Sequence, residues 1–407
     1  MASRQLGVWL HGHHVAEITT KGPGQITCRY TAEAQDRWPG GVPLLSCSLP
    51  LGSARYRNAK TWFRGLLPEG QALQAMADRA RVPTYDTFGM LARFGRDVAG
   101  AVVVADQDPG PRPGTVEPYS AEALDEEVAG LEDRPLALHD DSELSLPGLQ
   151  NKLLLIDLGD RRWGRPVGGR PSTHILKVED RRYPGLVTME AACLRLARSV
   201  GLTTVDVTVE RFAEIDCLIV SRFDRRTVDG TVVRVHQEDT CQALGRDPEA
   251  QERRGKYEAH GGPAFVEVAD LLDRYAQDPL DELARLVRVV AFTTAIGNAD
   301  AHGKNLAFVH EPTGSVRLAP LYDTVPTALW PRLPTRAAMR VNGRPTLGEV
   351  TIDDIVAEAQ RWRLDSARAE AAAVSTLQEL RTSVSEDESL PDQLSAYVSR
   401  RCNALLG

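Results

Sequence analysis

Paired cysteines are missing from this sequence. Cys28, Cys47, Cys193, Cys217, Cys241 and Cys402 form no C-x-x-C pair and no Cys/His metal spacing. That argues against a zinc site and a disulfide framework, and the six read as reduced thiols of a cytosolic protein. No window reaches ~18 apolar residues, the length a membrane helix needs. The start, Met1 to Leu10, has no apolar signal core. A cytoplasmic protein with no membrane partner is expected. Also absent are H-E-x-x-H, G-x-S-x-G and G-x-x-x-x-G-K-[ST]. Their absence sets aside a zinc protease, an acyl hydrolase and a Walker-type nucleotide site. No internal repeat and no low-complexity tract interrupts the chain. Cations are outnumbered, and the net charge of −8 argues against broad electrostatic binding of nucleic acid, though not against a local basic patch.

What is present fits a large folded chain. At 407 residues it can bury a sizeable core in two or three domains or lobes. Short alternating runs at 6–30, broken by Gly and Pro, predict hairpins of a small sheet. Residues 58–80 turn helical, and Ala99–Val104 reads as a buried strand. Asp106 to Gly114, rich in Pro and Gly, is the best linker. An α+β module, 1–105, is expected before it. From 106 to 225 strands dominate: Lys152–Asp157, Thr173–Lys177, Val205–Arg211 and Ile215–Val220, with one helix at Glu190–Val200. From 226 to 407 the pattern is mainly helical: 264–276, 281–297, 353–363, 366–383 and 391–405. A strand-rich lobe followed by a helical lobe predicts a bilobal α+β layout with a ligand cleft.

Chemistry concentrates in Ile296–Val309. A polar, Gly-containing loop there joins an amphipathic helix, Asp281–Ala295, to an apolar strand, Leu306–Val309. Asp300 and Asn305 stand in the spacing D-x-x-x-x-N. In kinase catalytic loops that Asp orients the substrate hydroxyl and that Asn holds a metal. Further on, Leu318–Asp323 reads as a strand ending in a lone acid, where a second metal-ligating Asp is expected. Oxygen ligands of this kind suit Mg²⁺. Asp300 as a cap, His302 as a satisfied core histidine and Asn305 as a turn residue are the structural alternatives.

Other segments carry two readings each. Ser145 to Lys152 is a Gly/Pro turn before a strand, able to cradle phosphates or to be an ordinary loop. Lys177 closes a strand and can reach phosphates with Glu190 as partner, or be an exposed strand end. Backbone groups at Ser221, Arg222 and Phe223 can read an adenine edge, and Asp224 can accept from ribose. Asp224 can equally be an ion-pair residue beside Arg222, Arg225 and Arg226. Asp239 reads as an N-cap, and Lys256 to Pro263 as a tight loop.

In this order the pieces resemble the HipA family, bacterial serine/threonine protein kinases that act as toxins of toxin–antitoxin modules. The resemblance spans nearly the whole chain. It rests on Leu66–Gly70, Phe94–Gly100, Ser145–Lys152, Thr173–Lys177, Arg222–Arg225, Gln237–Asp239, the Gly262-Pro263 loop, Gly297–Asn305 and Leu321–Asp323. It implies a protein-kinase-like fold: a small α+β subdomain at 1–105, a nucleotide-binding lobe at 106–225 and a helical lobe with the catalytic loop at 226–407. It implies Asp300 as the catalytic Asp, with Asn305 and Asp323 holding Mg²⁺. Lys177 would contact the phosphates of ATP with Glu190 beside it, and Ser221 to Phe223 would form the adenine hinge. Pro147, Gly148, Leu149, Gln150, Asn151, Lys152, His302, Gly303, Lys304 and Tyr322 would complete the nucleotide shell.

Ser145 matches the family's autophosphorylation site, whose modification pulls the phosphate loop out and silences the kinase. Pro147 and Asn151 depart from the commoner residues of that motif. The implied partners are a HipB-type helix-turn-helix antitoxin, operator DNA reached mainly through it, and a protein substrate of the aminoacyl-tRNA synthetase kind. Two other functions are weighed: a small-molecule phosphotransferase, and a catalytically silent co-repressor. The intact Asp300, Asn305 and Asp323 argue against the second.

Overall fold

Alternating burial organises the first sheet. On β1 (Arg4–Leu10), Leu6, Val8 and Leu10 face inward, and on β2 (His13–Thr20) Ala16, Ile18 and Thr20 do the same. With β3 (Thr27–Tyr30) and β4 (Val102–Ala105) they form an antiparallel sheet in the order β3-β2-β1-β4. A computed structural model of the chain describes residues 4–53, 56–106, 113–139, 142, 144–146, 151–333 and 335–407. Pro147, Gly148, Leu149, Gln150 and most of the expected linker lie outside the described residues.

A second sheet runs β5-β7-β6-β8-β10-β9, with β5 (Thr115–Pro118), β6 (Lys152–Asp157), β7 (Trp163–Val167), β8 (His174–Val178), β9 (Val207–Phe212) and β10 (Ile215–Ser221). Strand β6 is buried on both faces. Leu154 joins the core of the N-terminal sheet and its helices, while Leu153 and Leu155 join a second core with Trp163, Leu176 and Ile219. Leu144 and Leu146 pack into the first core as well. The two sheets therefore share apolar contacts, and by its contacts the chain forms two compact units, 1–179 with 208–238, and 180–207 with 239–407.

The second unit is built round the helix Pro279–Ile296. Proline at its first position and Asp281 and Glu282 in its first turn favour its start, and Gly297 at φ 72° ends it. From Val289 to Ile296 every residue is buried. The helices Phe265–Tyr275, Ile352–Arg361, Ser366–Glu386 and Asp392–Leu406 pack in the same unit. Leu186–Ser199 belongs to it too, and starts four residues before the expected Glu190. Among the described residues no helix is long and apolar enough to cross a membrane.

Two expectations need correction. Leu318–Asp323 is not a strand: pairing ends at Leu318, after Val316–Leu318 matches Ala307–His310, and Asp323 sits at φ 51°. Pro320 lies just past the last paired residue and has no N–H for a ladder. The region after 225 also contains two hairpins that the helical reading omits, Arg225–Val228 with Thr231–Arg234 and Arg336–Val341 with Arg344–Thr346. Their turns are Asp229-Gly230 and Asn342-Gly343, with both residues of each at positive φ. This is the type I′ geometry that Asp-Gly and Asn-Gly favour.

Candidate active site

The loop after the long helix is held by its own main chain. The Asn298 N–H donates to Thr293 O, and the Ala299 N–H to Thr327 Oγ1 at 2.8 Å. The Asp300 carbonyl accepts twice, from the His302 N–H at 2.8 Å and from Asn305 Nδ2 at 3.1 Å. The second bond uses the amide nitrogen of Asn305, so the amide oxygen Oδ1 keeps its acceptor capacity for another partner. Tyr322 closes the loop by donating its hydroxyl to Lys304 O at 2.6 Å.

Side chains outside the loop set its electrostatics. The Tyr257 hydroxyl donates to Asp300 Oδ1 at 2.9 Å, and its ring meets the His302 ring edge-on at 5.3 Å. Lys304 Nζ lies 3.0 Å from Asp239 Oδ2, and both groups are buried. Asp239 also caps the helix Thr240–Leu244 through Oδ1, so the N-cap expectation holds and a second role is added. Burial, then the Lys256 ammonium, hold the His302 imidazole well below its ordinary pKa, against the pull of Asp323. His302 is therefore neutral near pH 7. Its Nδ1 accepts the Lys304 N–H at 3.3 Å, which places its proton on Nε2.

Gly303 is where the loop passes closest to its neighbours. Its N–H donates to Lys256 O, and its carbonyl accepts from the Cys241 N–H. A Cβ there would stand 2.5 Å from Pro263 Cγ and 2.9 Å from Cys241 Sγ. Gly303→Ala is expected to cost about 1–3 kcal/mol of stability and to displace Lys304 and Asn305. Denaturant unfolding checks this, and an unchanged midpoint would count against it.

The first unit holds most of the remaining candidates. Register places Lys152 of β6 directly opposite Lys177 of β8, both buried and on one face. Two like charges at ~5 Å Cβ spacing repel, a cost that anionic groups between or beside them relieve. Asn151 leads into β6, half-buried. Ser221 ends β10 opposite His174, and the Arg222 N–H donates to Thr173 O.

Asp224 is engaged by ions: Oδ1 accepts from Arg222 Nε at 2.9 Å, and Oδ2 from Arg222 Nη2 and the Gly100 N–H at 2.7 Å each. That is the ion-pair alternative for its side chain. Ser145 is fully buried, its Oγ donating to Leu66 O and its N–H to Asp97 O, each at 2.9 Å. Glu190 is buried on Leu186–Ser199, in the second unit.

Sequence reasoning missed Tyr257 and the Asp239–Lys304 pair. The tight loop around Tyr257 was visible, but its bond to Asp300 spans 43 residues and leaves no local pattern.

The donor set fits a nucleotide carrying a hard cation: Asn305 Oδ1 and the Asp323 carboxylate offer oxygen only. Asp323 holds a left-handed φ that few side chains other than Asp and Asn adopt, as residues at functional sites often do.

Comparison with known proteins agrees. Residues 144–386 match the HipA-like C-terminal domain, and residues 6–105 the HipA N-terminal domain. A putative kinase of Sinorhizobium fredii, Y4mE, is 37% identical over 363 residues, covering 87% of this chain and 84% of that protein. The serine/threonine-protein kinase toxin HipA of Shewanella oneidensis is 29% identical over 323 residues, covering 77% and 72%. The structure of Shewanella oneidensis HipA solved with HipB and operator DNA superposes with a TM-score of 0.80. It is 26% identical, covering 98% of this chain and 96% of that one. Fold and relatives together define an ATP-using kinase of the α+β, protein-kinase-like class. The chain belongs to the HipA family of serine/threonine-protein kinase toxins.

Proposed function

We propose that the chain transfers the γ-phosphate of ATP, held with Mg²⁺, to a serine or threonine hydroxyl of a protein. The observation that supports this most is the Asn305 Nδ2 to Asp300 O bond, which ties the two residues together and keeps the amide oxygen as an acceptor. Asn305 and Asp323 would hold the cation, which when bound neutralises the charge of the transferring phosphoryl group. Asp300 orients the acceptor hydroxyl. His302, Gly303, Lys304 and Tyr322 are proposed nucleotide contacts in the second unit, where Glu190 also lies. In the first unit Lys152 and Lys177 serve phosphates. Ser221 to Phe223 serve the base, with Asp224 anchoring that turn through Arg222. Residues 1–105, 106–225 and 226–407 are the proposed modules, with 180–207 packing in the second compact unit and 226–238 in the first.

Ser145 is the proposed self-modification site. Its two hydrogen bonds must open before its hydroxyl can accept a phosphate. The antitoxin partner is proposed from the Shewanella neighbour, solved with HipB and operator DNA. A HipB-like protein would neutralise this kinase and carry it to DNA, which suits a chain of net charge −8. A cytoplasmic protein substrate is proposed, with aminoacyl-tRNA synthetases first to be tried.

The test is transfer from γ-labelled ATP with and without Mg²⁺, alone and with lysate, followed by mapping of labelled products. Label is expected on Ser145 and on a lysate protein, and EDTA is expected to abolish it, with Mg²⁺ restoring it. Label on small molecules alone would favour the small-molecule phosphotransferase. ATP binding with no transfer under any condition would favour the silent co-repressor.

A further inference from the structure

We infer that Tyr257 is a positioning residue for phosphoryl transfer, acting through Asp300. The inference rests on the kinase reading of Asp300. In that reading the acceptor's O–P bond forms as the bond from the γ-phosphorus to the ADP oxygen breaks. The acceptor proton passes toward the Asp300 carboxylate. The direction in which that carboxylate points therefore sets the alignment of the attacking oxygen, and small misalignments are costly.

Main-chain bonds fix where Asp300 begins. Its N–H donates to Asn298 Oδ1 at 3.2 Å, and its carbonyl is held by His302 and Asn305. None of these fixes the plane of the carboxylate. The Tyr257 hydroxyl reaches that plane, at 2.9 Å from Oδ1, and in this reading it sets the direction in which the carboxylate meets the acceptor hydroxyl.

Tyr257 is itself rigidly mounted. Its N–H donates to Arg254 O at 2.9 Å, and its carbonyl accepts from the Gly262 N–H at 3.0 Å and the His260 N–H at 2.9 Å. The next residue back, Lys256, accepts the Gly303 N–H at 3.1 Å, tying this turn to the catalytic loop. The ring has a separate packing role, edge-on to His302 and beneath Lys256 Nζ at 5.7 Å. Phenylalanine keeps that packing and removes only the hydroxyl.

Tyr257→Phe is expected to lower kcat for phosphate transfer about 10- to 100-fold, the range for losing one hydrogen bond to a charged group. KM for ATP should stay within about twofold. A double-mutant cycle separates positioning from general destabilisation. In the Asp300→Asn background, Tyr257→Phe should change the residual rate by less than about twofold. Retention of full kcat in Tyr257→Phe, with Asp300→Asn inactive, would overturn this inference and leave the kinase reading intact. Equal losses from Tyr257→Phe in both backgrounds would overturn it too, by showing that the hydroxyl does not act through Asp300. An inactive wild type would instead remove the reading on which it rests.

Discussion

Asp300→Asn is expected to lower phosphate transfer about 10³-fold, with ADP–Mg²⁺ affinity changed by less than about threefold. The substitution keeps the shape of the side chain and leaves an oxygen to accept from the Tyr257 hydroxyl. The main-chain bonds from Asn298, His302 and Asn305 do not involve the carboxylate. The fold and the Asn305 and Asp323 side chains therefore persist while the negative charge and an oxygen able to take a proton disappear. Positioned acid–base groups contribute roughly 10² to 10⁴ in rate, so the middle of that range is the expectation. Single-turnover transfer beside equilibrium ADP titration checks both halves. A variant within threefold of wild type would remove Asp300 from the chemistry. In cells, Asp300→Asn should no longer arrest growth. Full toxicity in that variant would point to the co-repressor function.

The loop around Asp300 stood out in the sequence because it compresses several chemistry-bearing residues into one turn between two buried elements. Helices such as Pro279–Ile296 and Ser366–Glu386 were legible for a related reason: long apolar periodicity survives small errors at the ends. What the sequence hid depends on pairing across distance. Lys152 and Lys177 each looked like strand-end lysines, and only the β6–β8 register places them face to face. Tyr257 reaches Asp300 through a tertiary contact with no periodic trace. The hairpins at 225–234 and 336–346 were readable from Asp229-Gly230 and Asn342-Gly343, but their strands are short, Arg-rich and half-exposed, so apolar alternation was weak.

The buried ion network of the first unit shows the same limit and supplies the second large effect. Phe94–Gly100 and Arg222–Arg225 were recognisable segments, yet nothing local indicated that they bind each other. Asp97 is fully buried. Its Oδ1 accepts from Arg225 Nη2 at 2.9 Å and Arg234 Nη1 at 2.8 Å. Its Oδ2 accepts from the Ser172 N–H at 3.0 Å and the Ser172 hydroxyl at 2.8 Å. Burial alone would raise the Asp97 carboxyl. The guanidiniums of Arg234, Arg225 and Arg222, with the Ser172 N–H, outweigh it and hold the group well below the usual carboxylate range.

Asp97→Asn leaves Arg222 and Arg225 paired with the Asp224 carboxylate, while Arg234 keeps its bonds to the Arg96 and Gly169 carbonyls and loses the carboxylate it faced. Breaking a buried pair by neutralising one partner costs about 3–5 kcal/mol. The unit formed by 1–179 and 208–238 should accordingly unfold at lower denaturant. The pH dependence has a defined sign. A carboxyl whose folded pKa is depressed adds stability above its unfolded value of about 3.9, and loses it as pH falls through the folded value. The gap between wild type and Asp97→Asn should therefore be full near pH 7 and narrow below about pH 4. Denaturant midpoints measured across that range decide it. A gap that stays constant down to about pH 2 would assign the loss to packing instead. Because the Asp97 carbonyl also holds the Ser145 N–H, the same variant should label Ser145 faster than wild type if the network is what keeps that serine buried.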